Sequence, residues 1–430
     1  MSKLIKGTKI TFTDGTSGTI LKELGSGGQG IVYLIDYSGK QMAFKWYKKC
    51  PSASFVENLS ENVKLGAPSG EFLWPLAISN GQFDSYGYLM ELRPDGYYEL
   101  SKFLLAKKRF KSDAAQIKAA LSICFAFQKL HLKGLSYLDL NDGNFFIDPI
   151  EGNVLICDND NVAPDKNNIT HIRGKCRYMA PEVVKGASPD KFSDFFSLAI
   201  ILFRLFFIDH PLEGKFNQSC PCLNEDFEKM LYGDKAVFIF DENDKSNAAT
   251  QINKNAIKIW PMAPHILRHA FLIAFSKECM QNVNKRMTDG DWVRILIQMR
   301  STICVCPICG RVTYIEKEDH GICKECKQKR SIYWIALGKK NIIPLVLGQQ
   351  LYESQIMKNI EHYKVCAKVV SSKSEPNKIG IQNLSNLDWI LTYNGQTKII
   401  KKNEIAPILD NSTIKFGNIN EGLIRQIKPQ

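Results

Sequence analysis

The sequence has no hydrophobic run long enough to cross a membrane. One apolar stretch, residues 198–208, is interrupted by Arg204, whereas a membrane-spanning helix needs about 20 predominantly apolar residues. The N-terminus, Met1-Ser-Lys-Leu-Ile-Lys, also lacks the apolar core of a secretory signal peptide. These absences predict a soluble, cytoplasmic protein with no membrane partner.

Dense runs of basic residues with interleaved aromatic residues are absent as well. The formal charge is +12, and residues 301–430 carry 19 Lys and Arg against 11 Asp and Glu. Because these charges are dispersed, they are typical of a solvated surface rather than of a nucleic-acid-binding face. We therefore expect no nucleic acid partner, and an acidic partner of another kind is the alternative.

The 13 cysteines of a cytoplasmic chain favour free thiols and metal ligands over disulfides. Four of them have paired spacing, in Cys306-Pro-Ile-Cys309-Gly and Cys323-Lys-Glu-Cys326, which predicts four thiolates arranged around one zinc ion. The pattern resembles a zinc ribbon. Four ligands leave no open position for catalysis, so the metal would be structural, and so small a module would need it to fold. Unliganded thiols in a reduced core are the alternative.

Two neighbouring segments carry the residues that phosphoryl transfer needs. Tyr137-Leu-Asp-Leu-Asn-Asp-Gly-Asn144 supplies Asp139 and Asn144, and Cys157-Asp-Asn-Asp160 supplies Asp158. The apolar residues between them predict two short strands around a turn at residues 149–152, a hairpin that would aim Asn144 and Asp158 at one site. This pattern resembles the catalytic loop and the Asp-Phe-Gly segment of eukaryotic-type protein kinases. The resemblance implies that Asp139 orients the acceptor hydroxyl and that Asn144 and Asp158 bind Mg²⁺.

The same segments depart from the kinase pattern at four positions. Tyr137 replaces the usual His, and Leu138 replaces an Arg that meets a phosphate on the activation loop, so we do not expect control by that device. Asn141 stands where most Ser/Thr kinases place a lysine on the transferring phosphate, and the loss of that cation should weaken charge stabilisation. Asp160 replaces the glycine of Asp-Phe-Gly.

A glycine-rich turn lies between two predicted strands near the N-terminus. Glycines let backbone amides approach phosphates without Cβ clashes, and the strand-turn-strand order argues against a Rossmann or Walker loop. The following Ala43-Phe-Lys45 matches the kinase Ala-x-Lys strand, and Lys45 would hold the α and β phosphates. The predicted nucleotide contacts of this region are Gly25, Ser26, Gly27, Gly28, Gly30, Val32, Ala43 and Lys45.

In kinases this lysine pairs with a glutamate on the next helix. Phe55, Leu59 and Val63 have helical spacing, and Glu57 and Glu61, one turn apart, both qualify as the partner. The distance to the next strand favours Glu61, although a solvated helix face is an open alternative for either residue.

Residues 86–93 resemble the strand that enters a kinase hinge. Met90 would line the adenine pocket, and the backbone at Glu91 and Arg93 would contact adenine. An ordinary core strand is compatible with this interpretation. A strong helical pattern follows over residues 114–133, where His131 is interpreted as a buried structural histidine.

Three later motifs extend the resemblance. Tyr178-Met-Ala-Pro-Glu182 resembles the Ala-Pro-Glu end of an activation segment. Asp194 would cap backbone amides of the catalytic loop, and Arg286 would form a bidentate pair with Glu182. Thr170 is interpreted as a plain loop threonine, with phosphorylation as the alternative.

The last hundred residues predict short strands separated by Asn, Gly and Asp turns. Their order resembles a forkhead-associated β-sandwich. Such domains bind phosphothreonine through an Arg and a Ser, but here Gln349 follows Gly348 and no convincing Ser/Arg pair is found. We therefore expect a degenerate, FHA-like docking domain rather than a phosphopeptide reader.

The sequence as a whole predicts an α+β, two-lobed protein-kinase fold at residues 1–300, with lobes at about 1–92 and 93–300. A zinc ribbon at 301–332 and a β-sandwich at 333–430 follow. The predicted activity is that of a bacterial ATP- and Mg²⁺-dependent Ser/Thr protein kinase acting in signalling or stress response. A pseudokinase docking scaffold and a small-molecule kinase are the alternatives. The expected partner is a protein substrate, with the chain itself as one candidate. The overall layout also resembles bacterial kinases of stress operons, which implies an operon-encoded phosphatase or von Willebrand-type protein as a further candidate partner.

Overall fold

The computed structural model divides the chain into two compact units. The first comprises Met1–Trp260 and Ala270–Val293, and the second comprises Pro261–His269 and Arg294–Gln430. Thr170, the candidate for phosphorylation, lies outside the described residues. The structure describes residues 3–166, 174–218, 224–306, 308–316, 322–328, 332–338, 341–356, 362–372, 375 and 378–427.

The first unit begins with a six-stranded antiparallel sheet in the order β1-β2-β3-β4-β6-β5. Phe12, Phe44 and Trp46 fill one buried cluster beside it. Leu59 of helix α1 packs with Tyr88 and other residues of the sheet in a second cluster. The elements are β1 (Lys9–Thr11), β2 (Ser17–Ser26), β3 (Gly30–Tyr37), β4 (Lys40–Tyr47), α1 (Ala53–Leu65), β5 (Ala77–Ile78) and β6 (Gly87–Met90).

Three short strands and a two-stranded ladder follow the sheet. The predicted hairpin is present, because β10 pairs antiparallel with β9, and β9 pairs in turn with β7. The second ladder joins β11 to β8. These strands are β7 (Tyr98–Glu99), β8 (Leu135–Ser136), β9 (Phe145–Ile147), β10 (Val154–Ile156) and β11 (Ala163–Pro164).

Helices α3 and α5 form the centre of the helical part. The predicted helix at 114–133 is observed as α3, whose first turn is capped by the Ser112 side chain. Asp190 and Ser193 form a capping box at the start of α5, which is buried along almost its whole length. The helices are α2 (Leu100–Leu104), α3 (Asp113–Leu132), α4 (Pro181–Val184), α5 (Lys191–Phe207), α6 (Lys215–Gln218), α7 (Glu225–Lys229), α8 (Lys254–Ile259), α9 (His265–Ala274), α10 (Lys277–Gln281) and α11 (Asp289–Thr302). No helix among the described residues is long and apolar enough to span a membrane.

The second unit is rich in strands, as predicted. A small hairpin of β12 (Ile303–Val305) and β13 (Val312–Tyr314) comes first. Two sheets follow, one in the order β15-β14-β23-β22-β19-β20 and the other in the order β16-β17-β18-β21. Buried side chains from both sheets form one cluster, which includes Ile335 and Ile381. Their elements are β14 (Ile332–Leu337), β15 (Asn341–Leu345), β16 (Gln350–Tyr352), α12 (Glu353–Ile356), β17 (Val365–Ser371), β18 (Ile379–Asn383), β19 (Trp389–Tyr393), β20 (Gln396–Ile400), β21 (Ile405–Pro407), β22 (Thr413–Phe416) and β23 (Asn420–Ile427).

Candidate active site

Asp194 of helix α5 fixes the backbone of the loop that carries Asp139. Its buried carboxylate accepts hydrogen bonds from the amides of Tyr137, at 2.6 Å, and Leu138, at 3.1 Å. Leu138 has a positive φ of 71°, a conformation that a leucine keeps only when its surroundings hold it there. The predicted capping role of Asp194 is therefore confirmed, and the cap holds the turn immediately before Asp139.

Tyr137 connects the two segments that carry Asn144 and Asp158. Its hydroxyl donates to the carbonyl of Cys157 and accepts from Nδ2 of Asn144 at 2.9 Å. The Cys157 amide also donates to the Asn144 carbonyl at 2.9 Å. The residue that replaces the usual histidine thus ties Asn144 to the residue directly before Asp158.

Asp139 lies in a surrounding that favours its protonated form. Its Oδ1 is buried and has no hydrogen-bond partner in the described structure. Burial, followed by the nearby charge of Asp158, raises the pKa of Asp139 to about 6. Asp139 therefore retains unused capacity to accept a hydrogen bond.

Lys45 has two carboxylate partners of different exposure. Its Nζ lies 2.8 Å from Oδ2 of Asp160, which is fully buried, and 3.1 Å from Oδ1 of Asp158, whose side chain is 48% exposed. The Tyr47 hydroxyl donates to the same Asp160 oxygen at 2.5 Å. Burial alone would lower the pKa of Lys45, but Asp160 and then Asp158 outweigh it, so the net shift is upward. Lys45 is therefore held as a buried cation.

Helix α1 does not supply the partner of Lys45 that the sequence predicted. Glu61 pairs instead with Lys64 at 2.7 Å, and its side chain is 71% exposed. The side of the helix that faces the protein carries Asn58 and Asn62, both of which donate to the Val162 carbonyl. The prediction of a Lys45–Glu61 pair was wrong, and the carboxylate comes from Asp160.

Sequence reasoning recognised Asp160 only as a replacement for glycine. The signal available in the sequence was an acid two residues after Asp158. A buried lysine requires a counter-charge, so an acid at this unusual position was the candidate to consider. Asp158 itself has a positive φ of 56° and directly precedes the short helical turn at Asn159–Asn161, which its side chain does not cap.

The glycine-rich turn has room that the protein does not fill. A Cβ added at Gly25, Gly27 or Gly28 would meet nothing within 4 Å. In contrast, a Cβ at Gly30 would lie 2.6 Å from the Trp46 carbonyl oxygen, so packing of β3 on β4 requires that glycine. Packing therefore does not explain the first three glycines, and the space beside them is open. Ser26, the last residue of β2, lies between them.

The predicted adenine-pocket residues belong to one cluster. Ala43 and Met90 are paired across β4 and β6, and Val32 packs against the same cluster as these two. Beyond the strand, Glu91 pairs with Lys40 at 2.8 Å. The Arg93 guanidinium lies 4.3 Å from the centre of the Phe146 ring, which connects the end of the sheet to strand β9.

Arg286 and Glu182 form the predicted pair. Nη1 and Nη2 of Arg286 donate to the two Glu182 oxygens at 2.7 Å and 2.6 Å, and the Arg286 side chain is 2% exposed. Arg286 also donates to the Phe192 carbonyl. This bidentate contact anchors the end of the segment that follows Asp158, so the prediction is confirmed.

Four cysteines of the second unit form a compact cluster. The Sγ atoms of Cys306, Cys309, Cys323 and Cys326 lie within 4.8 Å of one another, and Cys306 and Cys326 are 4.0 Å apart. Zn–S bonds of about 2.3 Å in a tetrahedron give sulfur separations of about 3.8 Å. Gly310 and Lys327 each have a positive φ, of 69° and 59°, in turns that fold back on the first cysteine of each pair. The donor set fits a structural zinc ion.

The first unit is similar to known protein kinases. A family model for the protein kinase domain matches residues 19–288. The chain is 26% identical over 256 residues to Protein kinase 3 of Dictyostelium discoideum, covering 55% of this chain and 26% of that protein. It is 28% identical over 208 residues to protein kinase C delta type of Rattus norvegicus, covering 46% and 30% of the two proteins.

The chain is also similar to a third curated protein and to one solved structure. Over 215 residues the chain is 28% identical to the cAMP-dependent protein kinase type 3 of Saccharomyces cerevisiae, covering 47% of this chain and 52% of that protein. The chain thus spans between about a quarter and a half of the length of these curated relatives. A solved structure of the Mycobacterium tuberculosis PknI kinase domain aligns with 69% of this chain and 98% of its own, with 16% identity and a TM-score of 0.45.

Proposed function

Because the chain belongs to the protein kinase family, we propose that it transfers the γ-phosphoryl group of ATP to a serine or threonine hydroxyl of a protein. The observation that carries this proposal is the hydrogen-bonded frame in which Tyr137 joins Asn144 to the segment of Asp158. Lys45 lies 3.1 Å from Asp158, the residue that follows this frame. Phosphoryl transfer depends mainly on such positioning and on neutralisation of charge.

Each residue of the frame has a proposed part in this reaction. Asn144 and Asp158 offer the amide and carboxylate oxygens that Mg²⁺ prefers, and a bound Mg²⁺ would neutralise phosphate charge. Lys45 and the glycine-rich turn would hold the phosphates, and the cluster of Val32, Ala43 and Met90 would contact the adenine. Asp139 would orient the acceptor hydroxyl and receive its proton.

The second unit has a proposed supporting role. We propose that its four clustered cysteines hold structural zinc and that its two sheets form a degenerate forkhead-associated-like docking domain. Gln349, at the position expected for a phosphate-binding arginine, is buried and donates to the Ser301 carbonyl at 3.0 Å, which supports docking over phosphopeptide recognition. The same proposal places the zinc module at residues 301–332, between the kinase domain and the docking domain.

The cellular setting is proposed from the same resemblance. It is a bacterial cytoplasmic signalling or stress response, with an operon-encoded phosphatase or von Willebrand-type protein as partner. The chain itself is one candidate substrate.

The activity is tested by incubation of the full chain with γ-³²P-ATP and Mg²⁺, followed by mapping of phosphosites by mass spectrometry. We expect label on serine or threonine, and we expect Asp139→Ala to lower the initial rate by at least about 100-fold, since general acid–base positioning contributes about 10²–10⁴-fold. Unchanged labelling by Asp139→Ala would contradict the mechanism. Asp113→Ala, an acid on the first turn of α3, is the matched control and should label at the wild-type rate.

A further inference from the structure

The proposed reaction needs a cation that the catalytic loop itself lacks. The loop from Tyr137 to Asn144 contains no lysine or arginine, although charge accumulates on the γ-phosphoryl oxygens during transfer. Asn141 occupies the position at which most Ser/Thr kinases place a lysine. A positive charge must reach this point from elsewhere in the chain if the transferring group is to be neutralised from the side of the acceptor.

Lys175 brings such a charge to Asn141. Its Nζ donates to Oδ1 of Asn141 at 3.1 Å. Asn141 is buried, and its own position is fixed because Oδ1 accepts from the Gly143 amide at 3.0 Å and Nδ2 donates to the Asp139 carbonyl at 3.3 Å. The Lys175 ammonium group therefore lies against the side chain of residue 141. That side chain is itself hydrogen-bonded to the carbonyl of Asp139.

The backbone beside Lys175 is built for close approach to Asp139. A Cβ added at Gly174 would lie 2.8 Å from Oδ1 of Asp139, closer than real Cβ contacts allow. Glycine at this position lets the segment pass directly over the carboxylate. The approach of Gly174 to Asp139 is independent of the contact between Lys175 and Asn141, and both place residues 174 and 175 beside the loop that carries Asp139.

Lys175 is also free to turn towards a phosphate. Its side chain is 58% exposed, and its carboxylate neighbour, Oδ1 of Asp142, is at 3.7 Å. The other Asp142 oxygen lies 3.4 Å from Arg204, so Asp142 is shared between two cations. An exposed lysine with one neutral and one distant charged partner loses little when it exchanges them for a phosphoryl oxygen.

We propose that Lys175 is the catalytic cation of the transfer step, supplied by the segment after Asp158 in place of a lysine at position 141. In this step the bond between the γ-phosphorus and the β,γ-bridging oxygen breaks as the acceptor oxygen bonds to phosphorus. The acceptor proton passes to Asp139, and ADP leaves with the bridging oxygen. Lys175 contacts the γ-phosphoryl oxygens throughout. The inference rests on the proposed kinase activity.

The test compares kcat and KM for ATP in Lys175→Met and wild-type chain, with the generic acceptor myelin basic protein and with water as acceptor. We expect kcat to fall by about 10–100-fold, somewhat less than for a buried oxyanion donor because Lys175 is exposed. The KM for ATP should stay within about threefold and the melting temperature should not change. Lys185→Met is the matched control, since Lys185 is 52% exposed and 3.9 Å from Asp234; it should keep wild-type kcat.

A charge relocation makes the test independent of a folding defect. The double variant Asn141→Lys, Lys175→Asn moves the cation back to the loop, and we expect it to recover at least about a third of the wild-type kcat where Lys175→Asn alone does not. A wild-type kcat in Lys175→Met would overturn this inference and leave the kinase proposal standing. If the wild-type chain transferred no phosphate in the presence of ATP, Mg²⁺ and the acceptors, both this inference and the kinase proposal would be overturned.

Discussion

The two carboxylates beside Lys45 differ in what surrounds them, and that difference assigns them separate tasks. Asp158 is half exposed, so it remains available to a metal ion. Asp160 is fully buried and shares one oxygen between Lys45 and Tyr47, so it acts as the fixed counter-charge. An interior cation without such a partner is strongly destabilising. The buried pair therefore positions Lys45 without a carboxylate from helix α1.

This assignment predicts the effect of Asp160→Asn, which keeps the size of the side chain and removes its charge. Lys45 would retain only the half-exposed Asp158, and we expect a loss of about 3 kcal/mol in the free energy of unfolding. We also expect a higher KM for ATP, since Asp158 would then serve both Lys45 and the metal. Urea unfolding and steady-state kinetics measure the two effects.

Glu61→Gln is the control for Asp160→Asn. Glu61 is exposed and paired with Lys64, so its substitution should change neither stability nor KM by more than the experimental error. A loss of activity in Glu61→Gln with normal behaviour of Asp160→Asn would mean that Lys45 uses the helical glutamate after all.

At the scale of secondary-structure elements, His131 connects three helices to the catalytic loop. Its ring lies at the end of α3, with Nδ1 2.6 Å from Asp289 of α11 and Nε2 3.2 Å from Asp194 of α5. Burial by itself lowers the pKa of His131, but the hydrogen bonds to Asp194 and Asp289 outweigh it and raise the pKa to about 9. The histidine, interpreted from the sequence as structural, is thus a buried cation that supports the Asp194 cap.

The raised pKa predicts a direction for stability against pH. The folded protein binds the His131 proton more tightly than the unfolded chain, whose histidines titrate near 6.5. The contribution, about 3 kcal/mol, is therefore complete below about pH 6.5 and is lost as the pH rises through about 9. We expect hydrogen-exchange protection of the Tyr137 and Leu138 amides to fall over that interval.

The matched variants for this effect are His131→Gln and His265→Gln. His131→Gln should lack this part of the pH dependence, because glutamine does not titrate. His265 is exposed, and its substitution should leave the pH profile of the two amides unchanged. Equal profiles in wild type and His131→Gln would contradict the assignment of a buried imidazolium.

At the scale of the whole molecule, local sequence patterns predicted the elements that depend on neighbouring residues. They missed the contacts in which a residue pairs with a different partner from the one that the kinase motifs indicate. The β9–β10 hairpin and helix α3 follow from patterns within about 20 residues. The Arg286–Glu182 pair was predicted because both residues match the residue types of the kinase motifs. The partner of Lys45 was missed because the glutamate's task has moved to Asp160, 115 positions away in the chain. The contact of Lys175 with Asn141 was missed for the same reason.

The second unit contains a further long-range contact of this kind. Glu316 accepts hydrogen bonds from the amides of His265 and Ile266 at the start of α9, and Lys324 lies 3.3 Å from the same carboxylate. A residue near the cysteine cluster therefore caps a helix about 50 positions earlier. No periodicity or motif announces such a cap, because the two segments meet only in the folded unit.

That contact sharpens the prediction for removal of metal. If zinc holds the four cysteines, chelation should unfold residues 304–330 and, because Glu316 and Lys324 lie in that stretch, should also expose the first amides of α9 to hydrogen exchange. Stabilisation of the first unit by ATP should persist, since the proposed nucleotide contacts lie within residues 25–160. Metal analysis of the purified chain should give one zinc per chain, lost in Cys306→Ser and kept in Cys304→Ser, a buried neighbour outside the cluster. A metal-free chain with a protected α9 start would show that the cysteines pack as plain thiols.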